Sequence, residues 1–560
     1  MIKYFIISLI LLSELNGLQY GRLQVTLLPN FLPFLPFDSF IPHKIASWYE
    51  YAANALFYSD KDECTVQVKQ GVIHGLYRDS YRQFLGIPYA QAPSGNQRWR
   101  SPVKLKSFDN GGTHDAKQYG DCCHQIHNEP DSWLKRMAMG PRSNPSEACL
   151  NLNIWTPRAA KLLSKVPVIV FIHGGAFSSG SNSIPLYEPI RMVEANENVI
   201  VVSINYRLGV FGFLASLQLQ EEVQHTEKGF GNYGIEDQIL ALQWIQENIE
   251  AFGGDASNVT LMGHSAGAIS INYLLFALNN PQYRNERLFK RAFLQSGTVD
   301  TWRKRSLNDT LTLPTFEKIL SQFKCKDLSC LRAVDATELN QFMIQEKWDL
   351  LWGPVIDYKL VKDFPQRLME MGDYLQDIEL VFTSTKDDGV MFVPYQIETE
   401  TDFKHFVGAN FGGIDQKVLS RYKHKDFMTL SSHIIRDCLF RCPAIRIGSA
   451  FAKTNPSYYM EFKDGISAAS ILTRVYYGQS WGAFHGSELI SLFEKNKHIM
   501  TVKERAFAKS IQKIWIEFAS TGEFNSASKT DQRLPFKMDP FFKCEFWDQN
   551  SFAFPDFAML

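Results

Sequence analysis

At 560 residues, with 45% apolar and 21% charged residues, the chain has ample material for a large buried core. Its formal net charge is −1, and no basic stripe, acidic tail or interleaving of aromatic and basic residues is present, so nucleic acid is not an expected partner. Length alone would allow about three or four domains, but no long Pro/Gly/Ser linker, repeat or low-complexity tract divides the chain.

The N-terminus opens with Met1-Ile2-Lys3 and an apolar stretch from Tyr4 to Leu12. That stretch is too short to span a bilayer and fits a signal peptide covering residues 1–17, cut near Gly17. Residues 18–60 form a leader that includes Phe31-Leu32-Pro33-Phe34-Leu35-Pro36-Phe37. Its aromatic, proline-punctuated composition is unlike a soluble linker; packing on the body is expected, with peripheral membrane contact or a flexible leader as the alternatives. No other transmembrane segment is expected. The final residues, Asp556-Phe557-Ala558-Met559-Leu560, are neither an ER-retention tetrapeptide nor a lipid-anchor signal. Secretion is therefore expected, and with it an oxidised set among the nine cysteines.

Beyond residue 61 the chain reads as one catalytic domain to about residue 555. Strands are predicted at Val166 to Ile172, Val199 to Asn205, Val259 to Met262, Ala292 to Gln295, Leu380 to Thr383 and Tyr458 to Phe462. They alternate with helical stretches such as Asp237 to Ile249 and Val502 to Phe518, the pattern of an α/β fold with a mostly parallel sheet. Residues 306–351 and 403–441 read as helical insertions that would supply a lid.

Two motifs carry chemistry. The apolar run Val168 to Ile172 breaks into His173-Gly174-Gly175, a loop where backbone can approach something closely. Later, Val259 to Met262 leads into Gly263-His264-Ser265-Ala266-Gly267 and a second apolar run from Ala268. Strand, Gly-x-Ser-x-Gly, helix is the context of a nucleophile elbow, which holds a serine hydroxyl exposed on a sharp turn. Backbone N–H groups of Gly174, Gly175 and Ala266 would then hold the oxyanion of acyl transfer, a donor being worth about 10²–10³ in rate. Thirteen histidines leave the base unchosen by composition, and Asp387-Asp388-Gly389 alone reads as a polar turn.

Further segments resolve the choice. Ser146-Glu147-Ala148-Cys149-Leu150-Asn151-Leu152-Asn153-Ile154-Trp155, Asn205-Tyr206-Arg207-Leu208-Gly209 and Phe252-Gly253-Gly254-Asp255 flank the two motifs. Gln295-Ser296-Gly297, Lys386-Asp387-Asp388-Gly389, Phe484-His485-Gly486-Ser487-Glu488-Leu489 and Trp515 to Gly522 follow. In order and spacing, about residues 64 to 550 resemble the type-B carboxylesterase/cholinesterase family. The resemblance implies an α/β-hydrolase fold: a large, mostly parallel sheet flanked by helices, with helical lid insertions. It implies a secreted serine esterase acting on small-molecule carboxylic esters, with Ser265 as nucleophile, His485 as base and acid, and Asp388 orienting the histidine. No cofactor and no metal are implied.

Three positions depart from the family pattern. Asp388 stands where glutamate is usual, with Asp387 as a rival. Thr383 replaces a glycine, which could shift the loop. Ala148 replaces an acid, which would weaken a structural ion-pair network.

The family pattern pairs Cys123 (or its neighbour Cys122) with Cys149, Cys325 with Cys330, and Cys442 with Cys544, leaving Cys64, Cys438 and one of the adjacent pair. Cys122 and Cys123 beside His124 and His127 lack a second ligand pair, so zinc is not expected. Asn258 and Asn308 head glycosylation sequons, and Asn308 is the better acceptor because Asn258 precedes the elbow strand.

Acetylcholine is not the expected substrate. Cholinesterases place a key tryptophan in the first disulfide loop, where this chain has Met139, with Trp133 nearer the start; they also place glutamate before the nucleophile, where this chain has His264. A binding or adhesion protein on the same fold, a lipase and an acyl transferase remain as alternative readings, and the sequence leaves the oligomeric state open.

Overall fold

The structure is a computed structural model. It describes residues 63–126 and 140–549, with breaks at 162–163, 197, 303, 349, 394–396, 413, 423–425, 468, 471–472, 474–479, 495–499, 524–531 and 534–543. The expected signal peptide (1–17) and leader (18–60), and also His127, Trp133 and Met139, lie outside the described residues.

A sheet is built from β1 (Glu63–Val68), β2 (Gly71–Tyr77), β3 (Tyr81–Pro88), β4 (Thr113–Asp115), β5 (Asn151–Pro157) and β6 (Val166–Ile172). It continues with β7 (Ile200–Ile204), β8 (Gly254–His264), β9 (Arg291–Gln295), β10 (Glu379–Thr385), β11 (Ser457–Phe462) and β12 (Gln532–Arg533). Its spatial order is β1-β2-β3-β5-β7-β6-β8-β9-β10-β11-β12, with β4 beside β2. From β7 to β11 the neighbours are all parallel. The helices named below are α1 (Tyr233–Asn248), α2 (Ala266–Ala277), α3 (Thr312–Gln322), α4 (Leu328–Ala333), α5 (Ala336–Gln345) and α6 (Glu400–Asn410). They continue with α7 (Asp415–Arg421), α8 (Phe427–Ile435), α9 (Cys442–Phe451), α10 (Ser487–Phe493), α11 (Val502–Thr521) and α12 (Cys544–Gln549).

β6 and β7 are almost wholly apolar because both faces are covered. In β6, Val168, Val170 and Ile172 join the core that contains Ile239 and Ile245 of α1 and Ile269 of α2. Ile169 and Phe171 point the other way, into the core with Trp515 and Phe518 of α11. Trp515 stacks on Phe293 of β9 with centroids 4.6 Å apart. This is the α/β-hydrolase arrangement that the resemblance implied.

The expected strand positions agree with β6 to β11, which the sequence made shorter at several ends, as for β8 (Gly254–His264). The antiparallel flank, β1-β2-β3-β5-β7, was not anticipated. The turns that join β1 to β2 and β2 to β3 are too short for a crossover, so those strands must fold back on one another. β1 shows the alternation of a half-buried strand, with Cys64, Val66 and Val68 inward. The expected helical insertions are present as α3 to α5 and α6 to α8. Among the described residues, no helix is long and apolar enough to cross a membrane.

Candidate active site

β8 ends at His264 and α2 begins at Ala266, so Ser265 alone makes the reversal. It sits at φ 56° and ψ −121°, a region costly for a residue with a Cβ. Its N–H donates to Gln295 O (2.8 Å), and its carbonyl accepts from Ile269 N (3.0 Å). The flanking glycines are required by contact. A Cβ on Gly263 would lie 2.4 Å from Gly267 O, and one on Gly267 would lie 2.1 Å from Ile172 O at the end of β6. The helix can therefore leave the sheet this sharply only without side chains at those crossings. Ser265 remains half-buried while His264 and Ala266 are buried.

The His173-Gly174-Gly175 loop follows β6, the strand next to β8. A Cβ on Gly174 would stand 2.7 Å from His264 O and 2.9 Å from Ser265 Cβ, so this backbone lies directly against the elbow. Gly175 has φ +114°, and its carbonyl accepts from Ser178 N (3.0 Å) and Ser179 N (2.9 Å), closing a tight turn. The N–H groups of Gly174 and Gly175 make no hydrogen bond to a described residue, and Ala266 opens a helix, where the first N–H groups have no partner within it. His173 anchors the loop from behind. Its ring stacks on Tyr206 (4.6 Å), whose hydroxyl donates to His173 O (2.9 Å). Burial pushes the His173 imidazole down to about 4, so it is neutral.

Asp388 lies three residues beyond β10 and is fully buried. Its Oδ1 is 2.7 Å from His485 Nδ1. Its Oδ2 accepts from Ser296 Oγ (2.8 Å) and Thr385 N (2.9 Å). Asp387 is engaged elsewhere: its Oδ2 accepts from Ala483 N (2.9 Å), and its own N–H donates to Ala483 O (2.9 Å). Of the two rival acids, Asp388 meets the imidazole and Asp387 pins the loop that carries it. Thr383 continues β10 in register with Gln295, and its carbonyl accepts from Ser296 N (2.9 Å). The Ala148 substitution leaves Glu147 paired to Arg98 through two contacts of 2.7 and 2.8 Å.

Several neighbours of the site had no role in the sequence reading. Ser296 is one, and its only sequence signal was its place in Gln295-Ser296-Gly297. His264, read in the sequence as standing where cholinesterases have glutamate, lies against the base: its ring is 4.5 Å from that of His485 and packs against Gly486, and both its nitrogens are buried without a partner among the described residues. Burial first, and then the adjacent His485, push its basicity far down, and among the described residues no carboxylate orients its ring as Asp388 orients that of His485. Glu488 is fully buried near Asp388, which together with the loss of water raises its carboxyl to about 8. Phe392 and Phe440 stand 5.1 and 4.9 Å from the His485 ring.

The three implied disulfides, Cys123–Cys149, Cys325–Cys330 and Cys442–Cys544, are all present. Cys123 takes the first bond, and Cys64, Cys122 and Cys438 are buried free thiols. Among the described residues no group of His, Cys, Asp and Glu could hold a metal. Asn258 is half-buried, donates to Ser520 O (3.3 Å) and accepts from Arg291. Asn308 is exposed.

Comparison with known proteins gives the family. Residues 62–543 match the carboxylesterase family. The chain is 30% identical to a cholinesterase of Mus musculus, over 85% of this chain and 81% of that protein. It is 31% identical to a crystal protein of Dictyostelium discoideum, over 81% of each chain. It is also 31% identical to a para-nitrobenzyl esterase of Bacillus subtilis (strain 168), over 82% of this chain and 90% of that one. Among solved structures, a thermophilic PNB esterase superposes with a TM-score of 0.68 at 28% identity, covering 84% of this chain and 93% of that chain. The chain belongs to the carboxylesterase family of carboxylic ester hydrolases.

Proposed function

We propose that the chain is a secreted serine esterase that hydrolyses carboxylic esters of small molecules through an acyl-enzyme on Ser265. The observation that carries this reading is the 2.7 Å contact between His485 Nδ1 and Asp388 Oδ1, made at the strand ends where Ser265 and Gly174 also meet. The contact leaves His485 Nε2 to take the Ser265 proton as the hydroxyl attacks the ester carbonyl. Asp388 holds the required tautomer and balances the imidazolium that forms. The N–H groups of Gly174, Gly175 and Ala266 receive the oxyanion. The imidazolium then protonates the leaving alcohol, and water, activated by the same histidine, releases the acid.

Secretion rests on the N-terminal stretch and on the three disulfides, which suit an oxidising compartment. Asn308 is the proposed glycan acceptor, and residues 61–555 the single catalytic domain. The likeness to a crystal protein supports a second reading, a binding or structural role on the same fold; the intact Ser265, His485 and Asp388 favour the esterase. A fluorophosphonate probe and the hydrolysis of p-nitrophenyl acetate and butyrate, run beside Ser265→Ala, separate the two. Labelling and turnover should disappear together in the variant. A folded wild type that neither labels nor turns over would leave the binding role.

A further inference from the structure

Between α8 and α9 the chain makes a π-helical turn, Arg436–Arg441, with all six side chains buried. Such turns are rare and gather at functional sites. This one touches His485 and the loop that carries Asp388. The Phe440 ring lies 4.9 Å from that of His485. Arg436 Nη1 donates to Lys386 O (2.9 Å), two residues before Asp388. The approach on that side is tight: a Cβ on Gly389 would meet Ser432 O at 2.1 Å and Arg436 N at 2.7 Å.

Asp437 is the hub of the turn. Its Oδ1 accepts from Arg436 Nε (2.8 Å) and Arg441 Nη1 (3.2 Å). Its Oδ2 accepts from Tyr422 OH (2.9 Å), and that hydroxyl accepts in turn from Trp547 Nε1 (2.7 Å) of α12. Arg441 also pairs with Glu461. The first residue of α12, Cys544, is bonded to Cys442 at the end of the turn. A continuous chain of hydrogen bonds therefore runs from α12 through Tyr422, Asp437 and Arg436 to the backbone of the loop that carries the acid.

We propose that Asp437 is a positioning residue for this reaction: through Arg436 and Phe440 it holds Asp388 and His485 in register, and through Tyr422 and Trp547 it ties that register to α12. The proposal rests on the assignment of Ser265, His485 and Asp388 as the triad. A carboxylate shared by two guanidinium groups fixes the turn in a way a neutral amide would not, because charge-assisted hydrogen bonds are the stronger and the more directional. Displacement of the His–Asp pair by about 1 Å is enough to cost about 10²-fold in turnover.

The test is kcat per active serine, with active sites counted by stoichiometric fluorophosphonate titration and p-nitrophenyl butyrate as substrate. Wild type, Ser265→Ala, Asp437→Asn, Tyr422→Phe and Trp547→Phe are compared. Asp437→Asn should lower kcat per titrated site about 10²-fold, with KM changed by less than about threefold, while Tyr422→Phe and Trp547→Phe should fall in the same direction by about tenfold. A residue that only supports the fold would reduce the number of titratable sites and the melting temperature and leave kcat per site unchanged; that result overturns the proposal. Should Asp437→Asn fail to fold, Tyr422→Phe, which loses a single hydroxyl, decides by the same criterion. Wild-type turnover that persists in Ser265→Ala would overturn the triad assignment and the positioning role together. Turnover that depends on Ser265, with unchanged kcat per site in the Asp437 and Tyr422 variants, would overturn the positioning role alone.

Discussion

Replacing Asp388 with asparagine changes a single oxygen into an NH₂ group, and the structure dictates which one. Asp388 accepts three hydrogen bonds, from His485 Nδ1, Ser296 Oγ and Thr385 N. The Thr385 donor is a backbone N–H and cannot reverse its role. The asparagine must therefore turn its carbonyl oxygen toward Thr385 and Ser296 and its NH₂ toward His485. Two donors then face each other unless the imidazole gives up its Nδ1 proton and becomes the Nε2–H tautomer, which has no lone pair with which to accept the Ser265 proton. The expected loss is about 10⁴ in kcat, or about 5.4 kcal/mol of transition-state stabilisation. The fold should survive, because all three contacts retain a partner. Stopped-flow and steady-state hydrolysis of p-nitrophenyl butyrate, with a thermal melt as control, measure it. Asp387→Asn is the comparison: Asp387 Oδ2 meets only a backbone N–H of the loop, so an amide oxygen can replace it at a cost of less than about thirtyfold. Asp388→Asn within tenfold of wild type, or Asp387→Asn as damaging as Asp388→Asn, would refute this reasoning.

Other outcomes follow from the same contacts. Gly174→Ala places its Cβ 2.9 Å from Ser265 Cβ, so the loop must retreat from the elbow; kcat should fall by about 10²–10³, as for loss of an oxyanion donor, with little change in melting temperature. Glu236 is buried with Oε2 unpartnered, and loss of water raises its carboxyl to about 8. The folded state then binds more protons than the unfolded one between about pH 4.5 and 8, so stability falls as pH rises through that window. Urea unfolding at pH 5 and pH 8 should show Glu236→Gln gaining on wild type by about 3.5 kcal/mol between the two pH values; an equal difference at both pH values would contradict the burial argument. Opening Cys442–Cys544, which closes a separation of 102 residues, by double substitution with serine should cost about 4.7 kcal/mol on the chain-entropy account, read by urea titration. Asn308→Gln should abolish a glycosidase-sensitive mobility shift of the protein expressed in a eukaryotic secretory host, and Asn258→Gln should leave it in place.

Much of this protein is local. The apolar run Val168 to Ile172 had to be a strand covered on both faces, because no half-exposed strand could carry it. The elbow is equally local: a strand, a serine between two glycines and a helix make a turn whatever surrounds them, and Ser265 at φ 56° is that turn. The resemblance carried His485, Asp388 and the three disulfides in the same way. Only the tertiary structure decided between Asp387 and Asp388. The two are neighbours in a turn, and what separates them is that one meets an imidazole and the other the Ala483 backbone, both about a hundred positions away along the chain. It also decided that Ser296 would hold the acid, that neutral His264 would lie against His485, and that the hub at Asp437 would reach Trp547. Those contacts join β9, β10, the His485 loop, the π turn and α12. A one-dimensional pattern records which faces are apolar, but which buried polar groups satisfy one another depends on how separate elements meet, and that exists only once the core has closed.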